Sequence, residues 1–276
     1  MAIALEDARY AEFARFLATR LGIILGDNKQ YLVKSRLSTT MREFESVDIN
    51  SFITMAISGR NPKLTERALE SMTTNETFWF RDEYPYQILS TTLLPMLAKR
   101  QQKLRIWSSA CSYGQEPYSI AMMILEYKKL NPSAFAYGIE IVASDISQQV
   151  LNDAKAGCYD ELAIARGLPE AMQRTYFSRC DKNRLCVSEP LRKMVTFKRA
   201  NLLDNLAGHG QFDVVFCRNV LIYFDHQTKA SILQKIAALL PSTGALILGA
   251  AESIAGAEDA LQMQKCPRGL YYTRRV

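Results

Sequence analysis

Apolar and polar positions follow two different rhythms along this chain. Up to about residue 72 the apolar residues recur at helical spacing. Phe13, Phe16, Leu17 and Leu21 form one stripe, and Val33, Leu37, Met41 and Phe44, at i, i+4, i+8 and i+11, form a second. Phe52, Ile53, Ala56 and Ile57 make a third, and Leu64, Ala68, Leu69 and Met72 a fourth. Asp48 and the pair Asn61-Pro62 stand where caps and turns separate such helices. From about Tyr84 the rhythm changes. A helix running to about Arg100 leads into LRIWSS, a strand, and ACSYGQEPYSI then turns into a helix with Pro117 in its first turn. IEIVAS, from Ile139 and ending at Asp145, is a second strand, and SQQVLNDAKAG follows as a helix capped by Ser147. VTFKRANL from Val195, FDVVFC from Phe212, GALILGAA from Gly244 and the closing LYYTRRV are further strands, with HQTKASILQKIAALL a helix between them. This alternation predicts a parallel, doubly wound α/β sheet behind an all-α N-terminal domain.

Two stretches break the pattern. Between Tyr176 and Lys198, short β-prone pieces, a Lys-Asn turn and Glu-Pro leave too little for a helix layer and predict a small antiparallel insertion. An insertion of this sort serves as a structural flap or carries partner binding. The second stretch is TTNETFWFR, Thr73 to Arg81, which alternates like no strand and is poor helix interior. Hydrogen-bonding side chains beside Phe78, Trp79 and Phe80 suit a site that grips a ligand with polar groups and flat apolar faces. A linker whose aromatics plug a domain boundary is the competing reading.

Composition narrows the chemistry. A chain of 276 residues, 48% hydrophobic, can bury one large core or one large and one small. No apolar run approaches the roughly 18 residues needed to span a bilayer, and Glu6 and Asp7 open an amphipathic stretch unlike a signal peptide. The six cysteines show no CxxC pair, which predicts reduced, mostly packed thiols of a cytoplasmic protein and no metal. Only two histidines exist. His209, in AGHGQ, reads as a loop residue and His226, in YFDHQT, as an early helix position beside a cap; neither has a nucleophile-elbow or HExxH context. The chemistry is expected to need no imidazole. The net charge of +6 points to an acidic partner.

In a doubly wound sheet the ligand lies at the carboxyl ends of the first strands, which brings Ala110–Glu116 and Asp145 together. That turn holds one glycine, Gly114, and lacks the glycines that cradle phosphates. Asp145, ending the second strand, is placed for ribose hydroxyls; Glu116 either serves the ligand or favours its own helix start. Two carboxylates repel phosphate and attract positive charge. S-adenosylmethionine, with a sulfonium, an ammonium and a ribose but no phosphate, fits these terms.

TTNETFWFR, RIWSSACSYGQEPYSIA, ASDIS and FDVVFCRNVLIYF, in this order, resemble the chemotaxis-receptor glutamate O-methyltransferases, the CheR family. The resemblance covers nearly the whole chain. It implies a receptor-docking helical domain over 1–74, an interdomain segment over 75–95, and an S-adenosylmethionine-dependent Rossmann-like methyltransferase domain over 96–276 with its β insertion at about 176–198. Asn75, Thr77, Arg81, Glu116, Asp145, Asn201, Leu202, Arg218 and Asn219 match positions that bind the cofactor. Arg81, Arg218 and Tyr223 are the implied catalytic set, the arginines orienting carboxylates and the tyrosine acting as a positional donor. The implied reaction gives glutamate methyl esters on chemoreceptors for chemotactic adaptation, with S-adenosylhomocysteine as the other product. Trp79 stands where phenylalanine-like residues are common in the family, and SYGQE replaces the commoner STGEE.

Lys34, Arg36 and Arg42 lie off the apolar stripe of the second helix, either as a solvated face or as a basic surface for an acidic receptor helix. The expected partners are the cytoplasmic methylation helices of bacterial chemoreceptors, with no nucleic acid and no direct membrane insertion, acting on a monomer. Members of the family can dock a receptor C-terminal pentapeptide on the insertion, and those tend to carry a longer, glycine-containing loop there. The corresponding loop here, Cys180–Leu185, is short and has no glycine, so no tether is expected. The alternatives are a methyltransferase of another protein or of RNA, and a non-catalytic cofactor-binding signalling protein. Basic residues are not interleaved with aromatics as a nucleic-acid surface requires, and the TNET and CRN blocks are intact.

Overall fold

The computed structural model describes residues 4–275, which divide into two compact units. One holds the chain up to Thr74 together with Tyr223–Thr228. Its helices are α1 (Asp7–Leu21), α2 (Gln30–Glu43), α3 (Ile49–Ser58) and α4 (Pro62–Ser71). The caps expected from sequence form: Asp48 accepts from the backbone N–H of Asn50 and Ser51, and Asn61 from Leu64, with Pro62 at the helix start. Phe13, Leu17, Val33, Leu37, Phe52, Ile53, Ala56 and Ala68 lose all exposure, so the inner residues of the four stripes make this unit's core.

The other unit holds Asn75–Ile222 and the chain from Lys229 onward. It opens with α5 (Tyr84–Ile88), a π-turn (Leu89–Leu93) and α6 (Leu94–Leu97). A single helix to about Arg100 is expected here; the ladder is interrupted instead. Pro95 has no N–H to return to the preceding turn, and the wider π-turn precedes it. Next come β1 (Leu104–Ser109), α7 (Gln115–Leu130), β2 (Ile139–Asp145) and α8 (Gln148–Ala156), with the Ser147 side chain capping α8 as expected. The smaller elements β3 (Cys158–Asp160), α9 (Glu161–Ala165), α10 (Glu170–Tyr176), β4 (Phe177–Arg179), β5 (Arg184–Val187) and α11 (Glu189–Lys193) follow. The chain finishes with β6 (Val195–Arg199), β7 (Val214–Cys217), α12 (His226–Leu239), β8 (Ala245–Leu248), β9 (Leu261–Cys266) and β10 (Gly269–Arg274).

Seven strands form one sheet in the order β6-β2-β1-β7-β8-β10-β9. The first five are parallel; β10 runs antiparallel to β8, and β9 antiparallel to β10. β1 is the middle of the five parallel strands, with β2 on one side and β7 on the other, so the switch point of a doubly wound sheet lies beside it. Register sets what meets there: Ser109 pairs with Ser144 and with Cys217, so β1, β2 and β7 end at one level. Asp145, the last residue of β2, and the residues that follow β1 and β7, Ala110–Glu116 and Arg218-Asn219, are thereby gathered at a single edge.

β3, β5 and β4 form the small antiparallel sheet, with β5 in the middle. Its third strand comes from before the segment 176–198, because Cys158–Asp160 pairs with Cys186–Arg184. Two expectations differ from what is found. β9 is not anticipated, since of LQMQKC only Leu261 is fully buried. The cysteines are not all isolated packed thiols: Cys111 and Cys217 are buried, but the sulfurs of Cys158, Cys180 and Cys186 converge.

Candidate functional site

The turn after β1 is held open by three residues of positive φ, Ala110 (53°), Ser112 (50°) and Gly114 (90°). For Ala and Ser this left-handed backbone is unfavourable, and the surroundings must impose it. Asp145 does so from the end of β2. Its buried carboxylate accepts the Ser112 N–H at 2.9 Å and the Ser147 N–H at 3.0 Å, while Cys111 N–H donates to the Ser144 carbonyl at 2.9 Å. The Ser112 hydroxyl donates to the Asn75 carbonyl at 2.9 Å, and the Tyr159 hydroxyl to that of Tyr113 at 2.7 Å. Gly114 is required by packing as well as by conformation, because a Cβ there would sit 3.0 Å from the Ala154 Cβ. Cys111 is buried in this turn; burial foremost, then the charges of Asp145 and Glu116, pushes its thiol well up, so it stays protonated and is no nucleophile.

Arg218, the first residue after β7, is the centre of a buried ion-pair knot, its side chain 2% exposed. Nη1 donates to Glu116 Oε2 at 2.8 Å; Nη2 donates to Asp82 Oδ2 at 2.7 Å and to the Arg81 carbonyl at 2.8 Å. Ser108 donates to the other Glu116 oxygen at 2.8 Å. Burial works against the guanidinium charge, but Glu116 above all, with Tyr86 and Asp82, outweighs it and raises the pKa. Nε is buried with no hydrogen-bond partner, an unmet donor of the kind that marks polar sites. The knot joins three motifs read separately in the sequence: the 73–81 block, the turn into α7 and the Arg-Asn pair.

Within Asn75–Arg81 the aromatics divide in role. Trp79, 1% exposed, packs edge-on against Tyr159 and Phe177, and its indole N–H donates to the Ala163 carbonyl at 3.0 Å. Phe80 stacks edge-on on Tyr86. Phe78 is half-buried, and the guanidiniums of Arg81 and Arg166 lie over its ring at 5.3 and 5.5 Å. Arg81 also donates to the Glu76 carbonyl at 3.1 Å, and Thr77 is half-buried. Gly167 crosses this segment so closely that a Cβ would lie 2.4 Å from the Trp79 carbonyl oxygen.

One organising residue goes unnoticed in the sequence. Glu252, after β8, accepts the backbone N–H groups of Asn219 (2.8 Å), Val220 (2.9 Å), Leu221 (2.7 Å) and Gly249 (2.8 Å). It thereby fixes the left-handed Asn219 (φ 56°) and the start of the turn that follows. No motif surrounds it; a lone glutamate in a GAAESIAG run carries no spacing signal.

The remaining expected residues stand as follows. Asn201 folds its own turn after β6, its side-chain oxygen accepting the Leu203 N–H at 3.0 Å, and Leu202 is buried. Tyr223 ends a short 3-10 turn, is 37% exposed, and groups with the helical unit. On α2, Lys34 and Arg42 are exposed. Arg36 is engaged at the end of α4, donating to the carbonyls of Met72 (2.5 Å) and Thr73 (2.9 Å) and to the Thr74 hydroxyl (2.7 Å). His209 lies in a short turn against Trp107, and His226 opens α12 beside the cap Asp225, as expected. No helix among the described residues is long and apolar enough to cross a membrane.

The donor set suits a cationic, phosphate-free nucleoside. Carboxylates dominate the strand ends, the lone glycine of the turn serves packing, and Arg218 Nε is left for an acceptor. Residues 75–270 match the family model described as the CheR methyltransferase S-adenosylmethionine-binding domain, and residues 8–73 match the CheR methyltransferase all-alpha domain. The chain is 44% identical over 271 residues to a chemotaxis protein methyltransferase of Vibrio parahaemolyticus, covering 98% of each. It is 45% identical over 269 residues to chemotaxis protein methyltransferase 1 of Pseudomonas aeruginosa, covering 96% of this chain and 97% of that one. Among solved structures it is similar to a TehB-like S-adenosylmethionine-dependent methyltransferase from Corynebacterium glutamicum, with 12% identity, 79% and 98% coverage and a TM-score of 0.41. The chain belongs to the CheR methyltransferase family.

Proposed function

We propose that this enzyme transfers a methyl group from S-adenosylmethionine to glutamate side chains of chemoreceptors. Membership of the family carries the reaction class. The observation that ties it to these residues is the Arg218 knot, which locks the 75–82 block onto the α7 turn at the carboxyl edge of the sheet. Asp145 and the turn Ala110–Glu116, with Asn75, Thr77, Asn201, Leu202 and Asn219, are the residues that would hold the cofactor. When bound, the cofactor supplies an electrophilic sulfonium methyl.

A glutamate is already ionised at neutral pH, so the chain needs no general base, in keeping with its two peripheral histidines. What the protein contributes is alignment, which can supply roughly 7–11 kcal/mol in well-oriented systems. Arg81, on a face of Phe78, orients the incoming carboxylate, and the Tyr223 hydroxyl is a positional donor. Arg218 is committed to Glu116, Asp82 and the Arg81 carbonyl. Its part is to position Arg81 and the turn rather than to clamp the nucleophile, which a tight guanidinium contact would quench.

Lys34 and Arg42 present charge to an acidic receptor helix, while Arg36 holds the end of α4. The hairpin loop between β4 and β5 is only residues 180–183, and the enzyme works without a pentapeptide tether. The enzyme acts in the cytoplasm as a monomer. Incubation with methyl-labelled S-adenosylmethionine and receptor fragments tests the reading: alkali-labile label on receptor glutamates supports it, and label on RNA alone, or none, overturns it.

A further inference from the structure

The small sheet carries a cluster that methyl transfer does not use. Cys158 on β3 and Cys186 on β5 are direct cross-strand partners, and Cys180 opens the hairpin loop after β4. The three sulfurs lie within 4.8 Å of one another, and Cys186 is drawn into disulfide contact with both Cys158 and Cys180. A sulfur has valence for one such bond, so the two pairs exclude each other and a third thiol is always left beside them. A cation is what three converging sulfurs can share at once.

The backbone favours that use. The Cys158 and Cys186 Cα atoms are 4.1 Å apart, closer than the usual disulfide span of about 4.4–6.8 Å. Opposed at this distance on one face of the sheet, the two side chains run side by side toward a common point. Cys180 reaches the same point from the loop, its Cα 5.8 Å from that of Cys186. Charge agrees: Arg179, Lys182 and Arg184 belong to the same hairpin against one Asp181, and the Arg192 side chain packs by Gly157, next to Cys158. Three thiolates and one divalent ion leave a net negative charge, which this surround offsets, and nearby cations favour thiolates. Strands of three and four residues also bury too little to hold themselves, and a bound ion would staple all three.

We propose that Cys158, Cys180 and Cys186 form a thiolate site for zinc, with water as the fourth ligand. Sulfur donors select zinc over magnesium or calcium. The site lies outside the methyl-transfer chemistry, so it stands or falls independently of the function proposed above. The expectation of no metal rested on the lack of a CxxC pair; the ligands meet only through strand pairing.

Metal analysis of the full chain, purified under thiol reductant without chelator, decides the matter. About one zinc per chain is expected, and cobalt added to the metal-free protein should give thiolate-to-cobalt charge-transfer absorption. Cys158→Ser and Cys186→Ser should lose both signals, and Cys266→Ser should keep them. Wild-type protein with neither zinc nor a cobalt band overturns the proposal, whatever the variants do. So does a Cys158–Cys186 or Cys180–Cys186 disulfide in the reduced preparation, found by mass spectrometry after alkylation.

Discussion

Arg218 and Glu116, 102 residues apart in sequence, meet at 2.8 Å at the edge where β1 and β7 end. The pair is nearly dry on the arginine side, so removing one partner strands the other. Arg218→Ala should cost about 3–5 kcal/mol of stability, the range for breaking a buried pair. Glu116→Gln keeps an acceptor for one donor and should cost about 1–3 kcal/mol. Arg218→Lys cannot serve Glu116, Asp82 and the Arg81 carbonyl from one planar fork, and it should lower turnover even where the protein stays folded. Denaturant unfolding with parallel assays checks this; a lysine variant with wild-type stability and turnover would remove the knot from the mechanism.

Asp145 is expected to matter twice, for the turn that it shapes and for the cofactor that the turn receives. Asp145→Ala should weaken S-adenosylhomocysteine binding by about 1–3 kcal/mol, the usual loss for a hydrogen bond to a charged group. Asp145→Asn retains one acceptor for the Ser112 N–H and should lose less. Calorimetry showing unchanged affinity in the alanine variant would place Asp145 outside the site.

The carboxyl-edge residues were readable in the sequence because strand–helix alternation fixes where strands end, and the ends of parallel strands share one level. Roles were less readable. Trp79 looks like a ligand platform in TTNETFWFR, but a large ring beside Tyr159 and Phe177 is worth more as core. Arg218 reads in sequence as an orienter of substrate carboxylates, because no linear pattern reveals Asp82 and Glu116 on either side of it. β9 is hidden because an edge strand buries little, and Glu252 because its partners are backbone groups, three of them from a turn more than thirty residues away.

The exposed and engaged cations of α2 should separate cleanly. Reversing Lys34 and Arg42 together should raise the Michaelis constant for receptor, leave cofactor affinity intact, and matter less at high salt, since exposed charges are screened over roughly 8–10 Å. Arg36→Ala should instead destabilise the helical unit, because it removes three donors from the end of α4. Thermal unfolding and receptor kinetics on both variants test the division; normal kinetics in the double reversal would return Lys34 and Arg42 to a solvated surface.

The absence of a tether is a further expectation. Without a longer glycine-bearing loop between β4 and β5, a receptor tail finds no close backbone approach along this hairpin. Free pentapeptide of the Asn-Trp-Glu-Thr-Phe type, titrated onto the protein, should show no detectable binding. Micromolar affinity would sink the idea.

Glu252 binds the turn after β7 and the turn after β8 through one carboxylate. Those two turns are therefore a single heritable unit. A length change in one shifts the N–H groups that the other relies on, so neither can drift alone. A graft that carries the Arg-Asn turn into another methyltransferase must bring the Gly249–Glu252 turn with it, or deliver the arginine without its aim.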